Sequence, residues 1–101
     1  MIKLRFVQRF KQSGRRDFTE LEREFVQLEQ HEPTFPKARR FIPVTGREPS
    51  NTMIWEAEFN NMEEASRALE IIEGNAIHNK LFIKQSAYML DAYTEIYEEF
   101  K

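Results

Sequence analysis

The apolar residues of this chain change their spacing in a fixed order, and that order restricts the fold more than any other feature of the sequence. Residues 2–11 alternate apolar and polar side chains, which is typical of a strand with one buried face. A stripe at helical spacing follows, and it predicts an amphipathic helix packed against that strand. The members of the stripe are Phe18, Leu21, Phe25 and Leu28.

Polar residues and a proline mark the expected ends of this first helix. Either Asp17 or Thr19 is a candidate N-cap, with Glu20 or Glu22 three residues further on, as in a capping box. The helix is expected to end before Pro33, because proline disfavours helical geometry at the residue that precedes it.

Two further strands are predicted at residues 38–46 and 52–59, separated by a turn-rich cluster at 47–51. Pro43 has no backbone N–H to donate to a neighbouring strand, so the first of these strands is expected at a sheet edge. Along the other strand, Met53, Trp55, Ala57 and Phe59 share one face, and Ile54, Glu56 and Glu58 share the opposite face.

The rest of the chain predicts one clear helix, one ambiguous segment and a last strand. The helix starts after Asn61, a good N-cap, and ends at Gly74, which suits the left-handed C-terminal position. Residues 76–90 are mostly helical in pattern, although residues 81–83 also suit a short strand. Residues 92–100 are expected to form the last strand.

The order strand, helix, strand, strand, helix, short helix, strand predicts an α+β domain of the ferredoxin-like, split βαβ type over residues 1–101. Two right-handed crossovers would place the helices on one face of a four-stranded antiparallel sheet, with the strands in the order 4-1-3-2. The other face of such a sheet is uncovered, and we therefore expect a homodimer that packs through the sheet faces.

Composition excludes several classes of protein. The 101 residues include no Cys, which rules out a disulfide scaffold, a cysteine metal site and a thiol nucleophile. The two His are far apart, so no metal site is expected. No apolar run is long enough for a membrane span and no signal peptide is evident, so a cytoplasmic protein without membrane partners is expected. The net charge of −2 argues against a nucleic-acid partner.

The charges are unevenly divided between the two halves of the chain. Residues 1–50 hold 11 Lys/Arg and 7 Asp/Glu, whereas residues 51–101 hold 4 and 10. One interpretation is that the basic first strand lies between acidic strands, because opposite charges stabilise strand pairing. The alternative is an anion or substrate site that uses Arg5 and Arg9.

The whole chain resembles the dimeric α/β-barrel superfamily, which includes antibiotic-biosynthesis monooxygenases, stress-responsive A/B-barrel proteins and NIPSNAP-like proteins. The resemblance covers about residues 2–100 and depends on the order of the elements and on two local patterns. One is the strand that runs straight into a capped helix at 54–65, and the other is the terminal strand at 93–97. The resemblance implies two copies packed sheet against sheet around a barrel-like cavity.

For function, the resemblance implies a small dimeric α/β-barrel protein that binds a small molecule at the sheet face. The alternative is a monooxygenase, either cofactor-free on an aromatic substrate or haem-degrading. The candidate pocket or interface residues are Arg5, Arg9, Trp55, Glu56, Glu58 and Tyr97, with Tyr93 as a further aromatic.

Haem-degrading members of the superfamily use an Asn on the first strand, a Trp on the second long helix and a His shortly after it. His78 stands at the third of these places and is the candidate cofactor-binding residue. Gln8 replaces the Asn and is expected to point towards the helices, and by spacing Ala68 lies where the Trp would be. We therefore expect no cofactor, with haem as the alternative.

Overall fold

The elements of the chain follow the predicted order in a computed structural model that describes residues 1–101. None of the three α-helices is long and apolar enough to cross a membrane. The elements are β1 (Ile2–Phe10), a 3-10 turn (Gln12–Gly14), α1 (Arg15–His31), β2 (Arg39–Phe41), β3 (Thr52–Phe59), α2 (Met62–Glu73), α3 (Ala76–Ser86) and β4 (Met89–Glu98).

The four strands form one antiparallel sheet in the order β2-β3-β1-β4, which confirms the predicted topology. The central strand β1 pairs with β3 and with β4, and Arg5 lies opposite Glu56 on one side and Glu95 on the other. The three helices pack on one face of the sheet, so the fold is the expected α+β, ferredoxin-like one. We call the opposite side of the sheet the open face.

The hydrophobic core lies between the sheet and the helices. Its larger part joins residues of β1 and β3 to residues of all three α-helices, and a smaller part lies at the end of β1 that leads into α1. There Phe10 stacks on Phe18 with ring centroids 4.5 Å apart, so this contact fixes the start of α1 against the sheet. The buried residues of the larger part include Leu4, Phe25, Leu28, Trp55, Ile72 and Leu81.

The start of α1 differs from the prediction. The helix begins at Arg15, and its N-cap is Gly14, three or five residues before the expected caps, with no side-chain cap hydrogen bond. Asp17 and Thr19 therefore lie inside the helix. The 3-10 turn leads directly into α1, so no side chain is needed to start it. A Cβ on Gly14 would lie 2.8 Å from Cδ1 of Tyr88, so any larger residue there would force the Tyr88 side chain to shift.

Two strand predictions are also corrected. The second strand spans only Arg39–Phe41 instead of 38–46, because Pro43 interrupts the pairing and the following residues form a loop over the open face. The last strand is Met89–Glu98 instead of 92–100, because its pairing with β1 extends back to Phe10.

The segment that links α2 to β4 is a helix throughout its central part. α3 covers Ala76–Ser86, and no strand forms at residues 81–83, since Leu81 packs into the core from the helix. Gly74 is not left-handed: its φ is −83°, and the chain passes to Asn75, whose side chain caps α3. The predicted cap of α2 is confirmed, because the Asn61 side chain accepts a hydrogen bond from the backbone N–H of Glu64.

Candidate functional site

Arg5 is the centre of the charged residues on the open face. Its Nη2 lies 2.7 Å from Oε1 of Glu56, and its Nη1 lies 3.7 Å from Oε1 of Glu95. Its guanidinium lies 5.7 Å from the centre of the Tyr97 ring. Burial lowers the pKa of Arg5, but the hydrogen bond and the charge of Glu56 outweigh it and hold that pKa above its ordinary value. The basic strand is thus paired with acidic residues on both sides here.

The other charged candidates on the open face lie apart from this group. Arg9 is exposed, lies opposite Asp91 and Thr52 in the sheet, and makes no ion pair within the chain. Glu58 lies opposite Lys3 and is also without an ion pair. Arg5, Arg9 and Tyr97 nevertheless line the same basin on the open face, although acidic side chains also line it and Arg5 is already held in ion pairs.

A loop covers part of the open face. The Tyr93 hydroxyl on β4 donates a hydrogen bond to Glu48 of the loop, and that bond raises the pKa of Tyr93 to about 12. Between the loop and the sheet lies a basin of about 850 Å³ with a mixed charged and apolar lining. Val7 is only 2% exposed at its floor.

Trp55 does not belong with the open-face candidates. It alternates in phase with Met53 and Ala57, so its side chain points to the helices and is only 5% exposed. Its ring stacks on Phe6 with centroids 4.5 Å apart and planes 15° from parallel. The predicted pocket group is therefore divided between the two sides of the sheet.

A cleft lies on the helix side of the sheet, beside Trp55. It consists of a small hollow of about 40 Å³ and a larger one of about 420 Å³. The larger volume falls in the range of about 300–1,000 Å³ that is common for small-molecule sites. We call this the helix-side cleft, and the residues that line both of its hollows are Phe6, Gln8, Ile72, His78 and Phe82.

Two polar side chains of the helix-side cleft are placed to meet a ligand. His78 is held in the first turn of α3, where its backbone N–H bonds to the Asn75 cap. Its Nδ1 lies 3.2 Å from Oδ1 of Asn79. Because an amide oxygen only accepts hydrogen bonds, Nδ1 of the neutral imidazole carries the hydrogen in this orientation of Asn79. Nε2 is then free to accept a hydrogen bond. The Gln8 amide is half-buried and has no hydrogen-bond partner within the chain.

Three charged side chains beside the small hollow form what we call the buried ion cluster: Glu22, Glu29 and Arg40. Arg40 Nε lies 2.5 Å from Glu22, and its Nη1 and Nη2 lie 3.0 and 2.5 Å from the two oxygens of Glu29. Gln85 donates to Glu22 at 2.8 Å. Burial lowers the pKa of Arg40, but the hydrogen bonds and charges of the two carboxylates keep it above its ordinary value.

The buried ion cluster was not predicted from the sequence, although a signal for it exists. Glu22 and Glu29 follow Phe18 at positions i+4 and i+11, in phase with the apolar stripe of α1. A carboxylate on the buried face of a helix needs a buried partner, and an arginine on a neighbouring strand is the usual one. The prediction had instead placed Glu22 in a capping box.

Comparison with known proteins identifies the fold. No protein-family model matches the chain, and no curated protein matches it. A crystal structure of an antibiotic biosynthesis monooxygenase matches with a TM-score of 0.76 at 17% identity, covering 100% of both chains. An uncharacterised NIPSNAP domain protein from Burkholderia xenovorans matches with a TM-score of 0.80 at 9% identity, covering 99% of this chain and 95% of that one.

This chain has the fold of these proteins. A NIPSNAP family protein from Agrobacterium tumefaciens matches it equally well, with a TM-score of 0.80 at 12% identity over 98% of this chain and 92% of the other. The fold predicted from the resemblance is confirmed. At such low identities the likeness extends to the fold alone, so function has to be argued from the residues of the helix-side cleft.

The three positions that the resemblance to haem-degrading proteins singled out are only partly brought together. Gln8 points towards the helices, as expected, and it lines the helix-side cleft together with His78. Ala68 does not line it: that residue is buried on another side of α2, beside Phe59 and Ile71. Leu69 lines the cleft in its place, so no aromatic ring enters from α2.

Proposed function

We propose that this protein binds a small molecule with an aromatic or other apolar body in the helix-side cleft. The observation that carries the proposal is a hollow of about 420 Å³ in which Phe6 and Phe82 offer apolar surface and Gln8 and His78 offer free polar atoms. Specific small-molecule sites commonly combine apolar walls with a few polar groups in this way. The proposal puts the ligand on the helix side, and not on the sheet face that the sequence suggested.

Trp55 provides the test, because it is the only Trp of the chain and lines the small hollow. Titration with 2-phenylethanol is expected to change the fluorescence emission of Trp55, and the change should reach a plateau as the cleft fills. The variant Ala92→Phe places a ring in the larger hollow from β4 and is expected to weaken binding about tenfold or more by filling the space. Leu90→Phe on the same strand is the control and should bind normally. An unchanged emission, or equal binding by both variants, would contradict the proposal.

We also propose that two copies of the chain associate through their open faces. Tyr93 and Tyr97 are 39% and 45% exposed there, next to the charged residues Arg9 and Glu58 that have no ion-pair partner within the chain. Two sheets that pack face to face bury such aromatic surface, and the unpaired charges are free to pair across the interface.

Sedimentation at micromolar concentration tests the association. The natural chain is expected to sediment as a dimer, and Tyr97→Asp is expected to shift it to monomer because the new charge would be buried against the partner. Ile77→Asp is the matched control: Ile77 is 56% exposed but lies on α3, away from the open face, so the dimer should persist. A natural chain that sediments only as monomer would refute the association.

The second candidate is a cofactor-free monooxygenase. One protein of the same fold is described as an antibiotic biosynthesis monooxygenase, and the acceptor Nε2 of His78 stands beside an aromatic cleft. In such a reaction His78 would remove a proton from an activated ring methylene. Transfer of electrons to O₂ would then give a ring carbonyl and water. Oxygen uptake with an anthrone-type substrate, lost in His78→Ala, would support this candidate.

The residues of the helix-side cleft do not fit haem. Haem carries two propionates that need cationic partners, and Arg40 is the only Lys or Arg in the lining. Three of its five N–H groups are already bonded to Glu22 and Glu29, whose two charges outweigh its own. We therefore propose that no haem is held. A haem titration followed by its visible absorption band should show no shift, and a shift that disappears in His78→Ala would contradict this.

A further inference from the structure

The fixed charges of the helix-side cleft are unbalanced. Its lining holds the carboxylates of Glu22, Glu29 and Glu73 and a single guanidinium, that of Arg40. Glu22 and Glu29 belong to the buried ion cluster, whereas Glu73 stands at the end of α2, exposed and without a side-chain partner. The lining therefore carries a net charge of −2 from these four groups.

The one cation of the lining is not available to an anionic ligand. Nε, Nη1 and Nη2 of Arg40 all donate to carboxylate oxygens of the buried ion cluster, at 2.5 to 3.0 Å. A ligand carboxylate would enter a cleft with a net charge of −2 and without a free cation to pair with, and such like-charge contacts oppose binding. Acceptor capacity, in contrast, is in excess, because each carboxylate offers about four lone-pair positions.

The aromatic walls favour the same sign of charge on the ligand. Phe6 is partly exposed and Phe82 is 44% exposed, so both present ring surface to the cleft. The faces of aromatic rings are negative and attract cations, most strongly where water is partly excluded. The carboxylates and the ring faces thus both contribute negative electrostatic potential to the cleft.

We infer that the ligand of the helix-side cleft is an organic cation, an ammonium group on an aromatic or other apolar body, and not a carboxylate or phosphate. This inference rests on the proposed function, since it assigns the charge of the ligand at the same cleft. The apolar body lies on Phe6, Ile72 and Phe82, and the ammonium group faces the carboxylate side of the lining. The same negative charge would disfavour the anion that forms when a monooxygenase substrate loses a proton. Small-molecule binding therefore remains the first functional proposal.

Three probes with the same ring and different charges test the inference, with Trp55 emission as the readout. Phenethylamine is a cation at neutral pH, 2-phenylethanol is neutral and phenylacetate is an anion. Phenethylamine is expected to bind about tenfold more tightly than 2-phenylethanol, and phenylacetate more weakly than the alcohol. Added salt should reduce the advantage of the amine, because Glu73 is open to solvent.

Two matched variants test the source of the preference. Glu73→Gln removes a carboxylate of the lining and is expected to lower the amine-to-alcohol affinity ratio about threefold. Glu70→Gln makes the same change at an exposed residue of α2 that does not line the cleft, and should leave the ratio unchanged. The buried ion cluster is left intact in both variants, so both should fold.

The possible outcomes separate the two claims. If none of the three probes binds, the proposed function and this inference both fail. If 2-phenylethanol binds but phenethylamine is no tighter, or phenylacetate is equally tight, the inference alone is overturned. The inference would also be overturned if the amine-to-alcohol affinity ratio were the same in the natural chain, Glu73→Gln and Glu70→Gln. The Glu73 carboxylate would then have no influence on selectivity.

Discussion

Removal of Arg40 is the perturbation with the largest expected effect on folding. Its side chain is only 15% exposed, and its guanidinium joins β2 to α1 through Glu22 and Glu29. In Arg40→Met the stem is kept and the charge is lost, so Glu22, which is 5% exposed, retains only Gln85 as a partner. The expected destabilisation comes from a buried carboxylate without its counter-charge, and not from lost packing.

The magnitude follows from the burial of the cluster. Removal of one partner of a buried ion pair costs about 3–5 kcal/mol. The total stability of a domain of this size is about 5–15 kcal/mol, so a large fraction of it would be lost. Each kcal/mol lowers the melting temperature of such a domain by roughly 4–8 °C, so we expect a decrease of at least about 12 °C.

Urea unfolding followed by circular dichroism measures the loss of stability. The slope of the unfolding free energy against urea concentration is expected to stay constant. Arg16→Met is the matched control, because Arg16 is 90% exposed and pairs with Glu20 at 3.4 Å within the surface of α1. The loss of stability in Arg16→Met should be too small to resolve. Adding Glu22→Met to Arg40→Met should recover more than about 1 kcal/mol, since the two residues interact directly. Equal stabilities for Arg40→Met and Arg16→Met would show that Arg40 does not stabilise the buried carboxylates.

Three further changes have definite expected outcomes. Gly14→Ala should cost about 1–3 kcal/mol in urea unfolding, because its Cβ would lie 2.8 Å from Tyr88; an unchanged midpoint would contradict the close contact. Spectrophotometric titration should show one tyrosine ionising near pH 12 that is absent in Tyr93→Phe. Because the folded pKa is raised from 10.0 to about 12, the bond to Glu48 is complete below pH 10 and lost as the pH approaches 12. Asn61→Ala removes the cap of α2 and should cost about 1 kcal/mol.

The topology could be predicted from the sequence because its determinants are local. Alternation along residues 2–11 places one set of side chains in the core, and Pro43 assigns its strand to an edge. Opposite charges on the central strand and its neighbours agree with the observed register, in which Arg5 faces Glu56 and Glu95. These features act within one strand or between adjacent strands, so the pattern of the sequence reports them directly.

The helix-side cleft could not be predicted in the same way, because it depends on which face of the sheet the helices cover. Trp55 and Tyr97 both have strand spacing, yet the first is buried under the helices and the second lies on the open face. Gln8 was predicted to point towards the helices, but its distance from His78 depends on how α3 packs. The buried ion cluster joins residues far apart in the chain, and Glu22 fits both a capping pattern and a buried one.

The proposed ligand site lies on the helix side of the sheet. The most direct test is the change in ¹⁵N–¹H NMR shifts when phenethylamine is added to the natural chain. We expect the largest changes at the side-chain amide of Gln8, the indole of Trp55 and the backbone of His78 and Phe82. Largest changes at Arg5 and other residues of the open face, with the Gln8 amide and Trp55 unmoved, would contradict it.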